Sequence, residues 1–265
     1  MDYTPFAAPA VAPSVSVNLG KDFASLPVFQ GVEAYILREM ITSAHTAQYQ
    51  KGAIFLAQGM EISRFYVVLE GWCGASKGNA EGQEAILQIF RRGDFLLEAA
   101  PTVLADISPM NLQALTPVHL LTLSPTSVLL AMEHSKIFMA NMLAAGVRRC
   151  QELRNHIEQL ALHNAEERVG RFLLQTRLNT NPEGNDLVLP FDKLLVAAYL
   201  GIKPETLSRV FQLFRKRGFV IERSHMTMPS RKALCGYCDF LTQHACPYAY
   251  SPECSIVANK TALQG

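Results

Sequence analysis

The chain has no apolar segment long enough to cross a bilayer, and it carries little charge of either sign. A membrane-spanning helix needs about 18 or more uninterrupted apolar residues, and the 265 residues contain no such run. The first residues include Asp2 and several prolines but no basic region, which argues against a secretory signal. Because 49% of the residues are hydrophobic and 18% are charged, the composition favours a globular protein over a disordered one. We therefore expect a cytoplasmic protein without a membrane partner.

Cysteine is absent before Cys73, and four of the six cysteines follow residue 234. In the cytoplasm such residues are more often thiols or metal ligands than disulfides. Cys73 and Cys150 are isolated and are expected to act as small buried hydrophobic residues. The sequence also shows no nucleophile–base pair and no phosphate-binding loop, so we do not expect an enzyme.

The N-terminal half shows regular turn signals. Residues 1–20 are rich in Ala, Pro, Val and Ser and are expected to be a flexible segment. Glycines then recur at steps of 7 to 12 residues, at Gly52, Gly59, Gly71, Gly82 and Gly93. Between them lie short β-branched and aromatic runs, such as Phe65–Leu69 and Ala85–Phe90. This pattern predicts an all-β roll or sandwich.

A long helix is predicted from about Lys136 to His163, because this stretch contains no proline. Apolar and small residues recur along it at alternating spacings of three and four, which is typical of a coiled-coil seam. The predicted dimer interface consists of Leu143, Gly146, Cys150, Leu153, Ile157 and Leu160. The alternative is a helix that packs on its own domain.

Residues 199–218 predict a tight turn followed by a helix. Gly201 tolerates the positive φ that a sharp turn needs, Pro204 suits the first helical position, and Gly218 suits the end of the helix. One polar and one apolar stripe recur here at helical spacing. The apolar stripe consists of Leu207, Val210, Phe211 and Phe214. The preceding residues 191–200 predict a short helix capped by Asp192. Residues 219–228 predict a hairpin.

The charged residues of this region are mostly basic. Residues 199–232 contain eight Lys or Arg against Glu205 and Glu222, a net charge of +6, whereas the whole chain is +1. A local basic surface on a near-neutral protein is typical of phosphate binding. The alternative is an ordinary solvated helix face.

The run Pro204–Arg209 resembles the Glu-Thr-x-Ser-Arg recognition helix of the CRP/FNR transcription regulators, and Asn164–Arg168 is similar to a segment of FNR-type members. The resemblance implies an α+β protein with an N-terminal cyclic-nucleotide-binding-like β-roll, a long dimerisation helix and a C-terminal winged helix-turn-helix. The implied divisions are a flexible segment (1–20), a sensory β-roll (21–133), a dimerisation helix (134–164), a winged helix-turn-helix (165–230) and a cysteine-rich tail (231–265).

The resemblance further implies a homodimer on double-stranded DNA, with RNA polymerase as a second partner and a TTGAT-type half-site. The DNA-binding candidates are Lys203, Pro204, Glu205, Thr206, Ser208, Arg209 and Gln212. Arg and Glu can read guanine and cytosine edges in the major groove, while Lys203, Arg215, Lys216 and Arg217 are expected to contact phosphates. Lys203 stands where the family usually has a Thr or Ser cap.

Cyclic AMP is not the expected ligand of the roll. The resemblance places the ribose contact at Glu98, where Leu97 replaces the usual glycine, and the phosphate contact at Ser108-Pro109. A buried phosphate needs a paired arginine, which this position lacks. A haem or small-molecule signal in the roll stays an alternative.

The tail contains a C-x2-C-x7-C-x7-C pattern, formed by Cys235, Cys238, Cys246 and Cys254. Four soft thiolates suit zinc or an iron–sulfur cluster, and His244 is a further candidate ligand. FNR-type members sense oxygen with a [4Fe-4S] cluster, and one Gram-positive subgroup carries its cluster cysteines C-terminally. We therefore expect a cluster-based redox sensor, with structural zinc, free thiols and an electron-carrying metalloprotein as alternatives.

Overall fold

The computed structural model describes residues 23, 25–78, 84–96, 107–239, 242–243, 246–249 and 254. The chain divides into two compact units, residues 1–154 and residues 155–265. The predicted flexible segment and the candidate side chains of Leu97, Glu98 and His244 lie outside the described residues.

Seven described strands in the first unit form two antiparallel sheets, which confirms the predicted β domain. The sheets have strand orders β1-β7-β3 and β2-β6-β4-β5. The strands are β1 His45–Tyr49, β2 Ile54–Leu56, β3 Phe65–Glu70, β4 Cys73–Gly78, β5 Glu84–Phe90, β6 Asn111–Ala114 and β7 Val118–Leu123.

Helical segments precede and follow these strands in the sequence. A short 3₁₀ turn, Pro27–Phe29, and helix α1, Ala34–Thr42, precede the first strand. Helix α2, Pro125–His134, follows the last strand, and its N-cap Ser124 accepts a hydrogen bond from the Ser127 amide. Helix α3, Lys136–Leu162, follows directly, close to the predicted bounds.

Strand β3 divides its side chains between two hydrophobic cores. Tyr66 and Val68 pack with residues of the other sheet, such as Phe90 of β5. Val67 and Leu69 belong to the second core, which includes residues of α1, α2 and α3. Because side chains alternate between the faces of a strand, one strand can serve both cores, and this explains why the run is apolar without interruption.

Gly71 connects β3 and β4 with a φ of +79°. A Cβ at this position would lie 2.2 Å from the Pro117 carbonyl oxygen. Glycine is therefore required here by both backbone conformation and space.

The described residues of the second unit form the end of α3, three complete helices, a small antiparallel sheet and a 3₁₀ helix. The sheet has strand order β8-β10-β9. The elements are α4 Ala165–Thr180, β8 Asp186–Val188, α5 Lys193–Tyr199, α6 Pro204–Lys216, β9 Val220–Glu222, β10 His225–Thr227 and the 3₁₀ helix Arg231–Tyr237. This arrangement is the predicted winged helix-turn-helix, so the expected fold class is confirmed.

Helix α4 begins with a capping box. The Asn164 side chain accepts from the Glu167 amide, and the Glu167 carboxylate accepts from the Asn164 amide, both at 3.0 Å. Two otherwise unpaired N–H groups are thereby satisfied, and the break between α3 and α4 is set locally. Within the described part of the chain, no helix combines the length and apolar character that crossing a membrane requires.

Candidate DNA-binding surface and cysteine cavity

The turn between α5 and α6 has the predicted local geometry. Asp192 caps α5 by accepting a hydrogen bond from the Leu195 amide at 3.0 Å. Gly201 has a φ of +60°, and Pro204 occupies the start of α6. Lys203 is the N-cap residue and makes no side-chain capping bond, because an ammonium group cannot accept a hydrogen bond from the helix amides.

Helix α6 separates a buried face from an exposed one. Leu207, Val210, Phe211 and Phe214 are each at most 4% exposed. The candidate DNA-binding side chains are exposed apart from Thr206, which is half-buried; the exposed ones are Lys203, Pro204, Glu205, Ser208, Arg209 and Gln212. The helix can therefore present its polar face to a groove without losing its packing.

Two of the basic residues expected to contact phosphates have partners within the protein. Arg215 donates to the Ile221 carbonyl at 3.2 Å. Arg217 donates to a Glu166 carboxylate oxygen at 2.7 Å and to the Tyr237 hydroxyl at 2.8 Å. Arg217 is thus a tertiary contact at the end of α6, which the sequence interpretation missed because Glu166 lies 51 residues away.

The wing hairpin turns at Arg223, which has a φ of +49°. The hairpin is tied to the edge strand β8, since the Thr227 hydroxyl donates to the Asp186 carboxylate at 2.8 Å. Met226 is 1% exposed, so the hairpin is also anchored through its apolar face.

The predicted dimer seam of α3 is open in the single chain. Leu143 is 70% exposed, Ile157 is 65% exposed and Leu160 is 44% exposed. Cys150 is exposed as well, whereas we expected a buried residue, because its seam position leaves it without cover in one chain. Cys73 is fully buried in β4, as expected.

Tyr237 joins the cysteine-containing segment to α4 and α6. Its ring packs against Gly170, where a Cβ would come within 2.4 Å of the ring carbons, and it meets the Phe214 ring edge-on at 5.9 Å. Its hydroxyl donates to Glu166 at 2.7 Å. Burial raises the pKa of Tyr237 to about 12, and the hydrogen bond from Arg217 lowers the pKa of Glu166.

A cavity of about 230 Å³ lies in the second unit. Its wall includes all four tail cysteines, Cys235, Cys238, Cys246 and Cys254, together with Leu174 and Arg177 of α4. Each of these cysteines is half-buried and none forms a disulfide. The structure thus brings together four thiols that span 20 positions of sequence.

The thiols surround the cavity without crowding around one point. Within the described residues, no three metal-ligating side chains converge closely enough to hold a single ion. Burial raises the pKa of the Cys238 thiol to about 11, and Asp239 and the other three tail cysteines add to the shift. The donor set fits a thiolate-bound metal group, and such a group would have to deprotonate Cys238 on binding.

The segment after Cys238 is held by an ion pair. Arg171 of α4 donates to Asp239 at 2.6 Å, and the Asp239 carboxylate also accepts from the Thr242 amide at 2.6 Å. The sequence interpretation missed Glu166, Arg171 and Arg177, although Arg177 follows Leu173 and Leu174 at helical spacing and could have been recognised as facing inward.

The expected phosphate position of the roll is occupied by internal contacts. The Ser108 hydroxyl donates to the Met110 carbonyl at 2.6 Å, its amide donates to the Met60 carbonyl at 2.8 Å, and the residue is 2% exposed. The hydroxyl and the amide of Ser108 are therefore both used in hydrogen bonds within the protein. The expectation about cyclic AMP stays a prediction.

Two parts of the chain match known protein families. Residues 46–135 match the family described as the cyclic nucleotide-binding domain, and residues 167–237 match the Crp-like helix-turn-helix domain. Neither match extends past residue 237, so three of the four tail cysteines lie beyond the matched regions.

Individual relatives agree with both matches. The nitrogen fixation regulation protein FixK of Bradyrhizobium diazoefficiens is 25% identical over 200 residues, which cover 73% of this chain and 81% of the relative. The structure of FixK2 from Bradyrhizobium japonicum covers 74% of this chain and 98% of its own, with 19% identity and a TM-score of 0.67. A CooA mutant from Carboxydothermus hydrogenoformans covers 85% and 97%, with 20% identity and a TM-score of 0.64. At these identities the two structures support the fold alone.

Proposed function

The chain belongs to the CRP/FNR family of transcription regulators, and from that premise we propose that it binds an FNR-like inverted repeat and responds to redox state through its C-terminal cysteines. Members of this family are DNA-binding regulators that act as homodimers, and they are not enzymes. The repeat, the residues that contact it and the signal are our proposals.

The proposed DNA contact is the exposed polar face of α6. Glu205, Ser208 and Arg209 lie at positions i, i+3 and i+4, so they face the same side of the helix. Arg209 can pair with guanine and Glu205 can accept from cytosine. In a homodimer, the two copies of α6 would reach half-sites roughly 34 Å apart, about one helical turn of DNA.

The DNA proposal is tested by titrating labelled duplexes with the purified homodimer. One duplex carries two inverted TTGAT half-sites, and a second carries them with the guanine replaced in each half-site. We expect Arg209→Ala to abolish the preference between the duplexes, and Lys216→Ala to weaken both equally, since Lys216 is proposed to contact phosphate. An equal loss on both duplexes for Arg209→Ala would contradict the base-reading role.

The proposed sensor is a metal group held by Cys235, Cys238, Cys246 and Cys254. We favour a [4Fe-4S] cluster over zinc because FNR-type members, which this chain resembles, sense oxygen with such a cluster, and the four thiols on the cavity wall suit it. When bound, a cluster would supply a redox-active and oxygen-sensitive centre.

One observation links this site to DNA binding. Tyr237 lies between Cys235 and Cys238 in the chain, and its hydroxyl contacts Glu166 and Arg217. Arg217 is the C-cap residue of α6. A metal group bound by Cys235 and Cys238 would therefore restrain Tyr237 between them. Tyr237 in turn fixes the end of α6 against α4.

The sensor proposal is tested on protein purified without oxygen. We expect iron and sulfide with a broad absorption band near 400 nm, and a change in DNA affinity when air bleaches that band. Cys238→Ser should lose the metal, while Cys150→Ser, at an exposed cysteine outside the tail, should keep it. Zinc in a colourless protein would make the tail structural, and an unchanged DNA affinity in air would favour an electron carrier.

We also propose contact with RNA polymerase and a cytoplasmic location, because a transcription regulator works where the DNA and the polymerase are. Co-purification of polymerase on the bound duplex, compared with free duplex, tests the first of these.

A further inference from the structure

Arg177 of α4 is buried beside the cysteine cavity and has no carboxylate partner among the described residues. The residue is 2% exposed. One terminal nitrogen donates to the Arg231 carbonyl at 2.5 Å, and among the described residues Nε has no hydrogen-bond partner. No ion pair between described residues includes Arg177. Among the residues that the structure describes, one backbone carbonyl is thus its hydrogen-bond partner, and no negative charge is paired with it.

A buried guanidinium is unfavourable in the absence of a counter-charge. Arginine does not lose its proton in proteins, so it cannot become neutral when it is buried. An uncompensated buried charge is strongly destabilising. The second unit therefore contains a cation whose natural partner would be an anion in the adjoining cavity.

The four cysteine thiols on the cavity wall all become anionic when they bind a metal. Thiols lose their protons when they bind a metal, and four thiolates outweigh the two positive charges of a zinc ion. The same excess of negative charge holds for four thiolates on an iron–sulfur core. Arg231 and Lys232 also line the cavity but are exposed, so water can solvate them and they need no partner.

We propose that Arg177 is the counter-charge of the anionic metal–thiolate group held by the four tail cysteines. The inference rests on the proposed metal site, but it adds a separate claim with two opposite consequences. Arg177 lowers the stability of the metal-free protein and raises the affinity for the metal. A purely structural arginine would stabilise both forms.

Helix α4 offers in Arg168 a control with a similar hydrogen-bond pattern. Arg168 also donates one terminal nitrogen to a backbone carbonyl, that of Leu200 at 2.8 Å, and its Nε is likewise buried without a partner among the described residues. Arg168 does not line the cysteine cavity. Arg168 is half-buried, whereas Arg177 is 2% exposed, so the two arginines share their hydrogen-bond pattern but differ in burial and in what lies beside them.

The experiment compares the full-length wild-type protein with Arg177→Met, Arg177→Gln, Arg177→Lys and Arg168→Met under anaerobic, reducing conditions. Zn²⁺ alone is the first probe, and its affinity is measured by competition with a chromophoric chelator. Metal-free protein is melted in parallel. A second arm rebuilds the cluster with iron and sulfide and measures its midpoint potential.

We expect Arg177→Met and Arg177→Gln to weaken Zn²⁺ binding by about 10- to 100-fold, as for other residues that support metal ligands. Their metal-free forms should melt at or above the wild-type temperature. Arg177→Lys keeps the charge and should restore most of the affinity. In the cluster arm, Arg177→Gln should lower the midpoint potential, because reduction adds negative charge that the arginine stabilises.

The inference would be overturned if Arg177→Gln bound the metal as tightly as the wild type. It would also be overturned if the metal-free Arg177 variants melted below the wild type, as we expect Arg168→Met to do. Neither result would count against the metal site itself. Arg177→Gln keeps a donor for the Arg231 carbonyl, so it serves if Arg177→Met does not fold. If the wild-type protein binds neither zinc nor iron and sulfide, the metal site and the counter-charge both fail.

Discussion

Replacing Tyr237 with phenylalanine isolates the contact that joins the cysteine segment to the recognition helix. The substitution removes one hydroxyl and leaves the ring, which still packs on Gly170 and Phe214. The hydroxyl donates to Glu166 at 2.7 Å and accepts from Arg217 at 2.8 Å. Both partners are charged, and the pKa of Glu166 is lowered by these contacts, so both hydrogen bonds are charge-assisted.

The expected loss follows from those contacts. A hydrogen bond to a charged group contributes about 1.5–3 kcal/mol. The Glu166 and Arg217 side chains are 30% and 51% exposed, so water replaces part of the lost interaction, and their direct pair at 2.7 Å remains. We therefore expect Tyr237→Phe to lower the free energy of unfolding by about 1–2 kcal/mol.

The assay is urea unfolding of metal-free protein at pH 7, combined with a double-mutant cycle. Tyr237→Phe, Glu166→Gln and the double variant are compared with wild type, and the two changes should be less than additive because they share one contact. DNA affinity of the loaded protein should fall with Tyr237→Phe. Additive effects, or a loss below about 0.3 kcal/mol, would refute the view that this hydroxyl ties the tail to α6.

Three further predictions follow from the same contacts and from the open face of α3. Gly170→Ala should displace the Tyr237 ring and cost about 1–3 kcal/mol by overpacking, measured as a lower urea midpoint. Ile157→Lys should dissociate the dimer in sedimentation velocity; Leu194→Lys, at an equally exposed residue, should not. Because the pKa of Glu166 is lowered in the folded state, the ionised carboxylate stabilises the fold at pH values above the unfolded pKa of about 4.5. This stabilisation is lost as pH falls through the folded pKa. Glu166→Gln should therefore make the free energy of unfolding less dependent on pH in this acid range.

Much of the helix-turn-helix could be predicted from local chemistry. Asp192 caps α5 through an amide three residues away, Gly201 takes a positive φ, and Pro204 begins α6. Each of these effects acts over a few residues. The apolar stripe of α6 is likewise a property of helical spacing, so the exposed polar face could be identified from the chain alone.

The partners of the arginines could not be predicted in this way. Arg217 looked like a phosphate contact, yet it pairs with Glu166 of α4. The helical spacing of Arg177 from Leu173 and Leu174 indicates an inward-facing side chain, but its place beside the cysteines depends on the distant tail. A long basic side chain can extend into water or turn inward, and the choice depends on groups that are distant in sequence.

The sequence by itself determined the order of elements, the caps and turns of the second unit, the polar face of α6 and the presence of four thiols in one short segment. The tertiary structure alone decided that those thiols surround one cavity, that Arg177 lies on the wall of the same cavity and that Tyr237 contacts Gly170, Glu166 and Arg217. Caps and turns arise from hydrogen bonds over three or four residues. The cavity and its charge arise from packing between segments roughly 60 residues apart, which no local preference encodes.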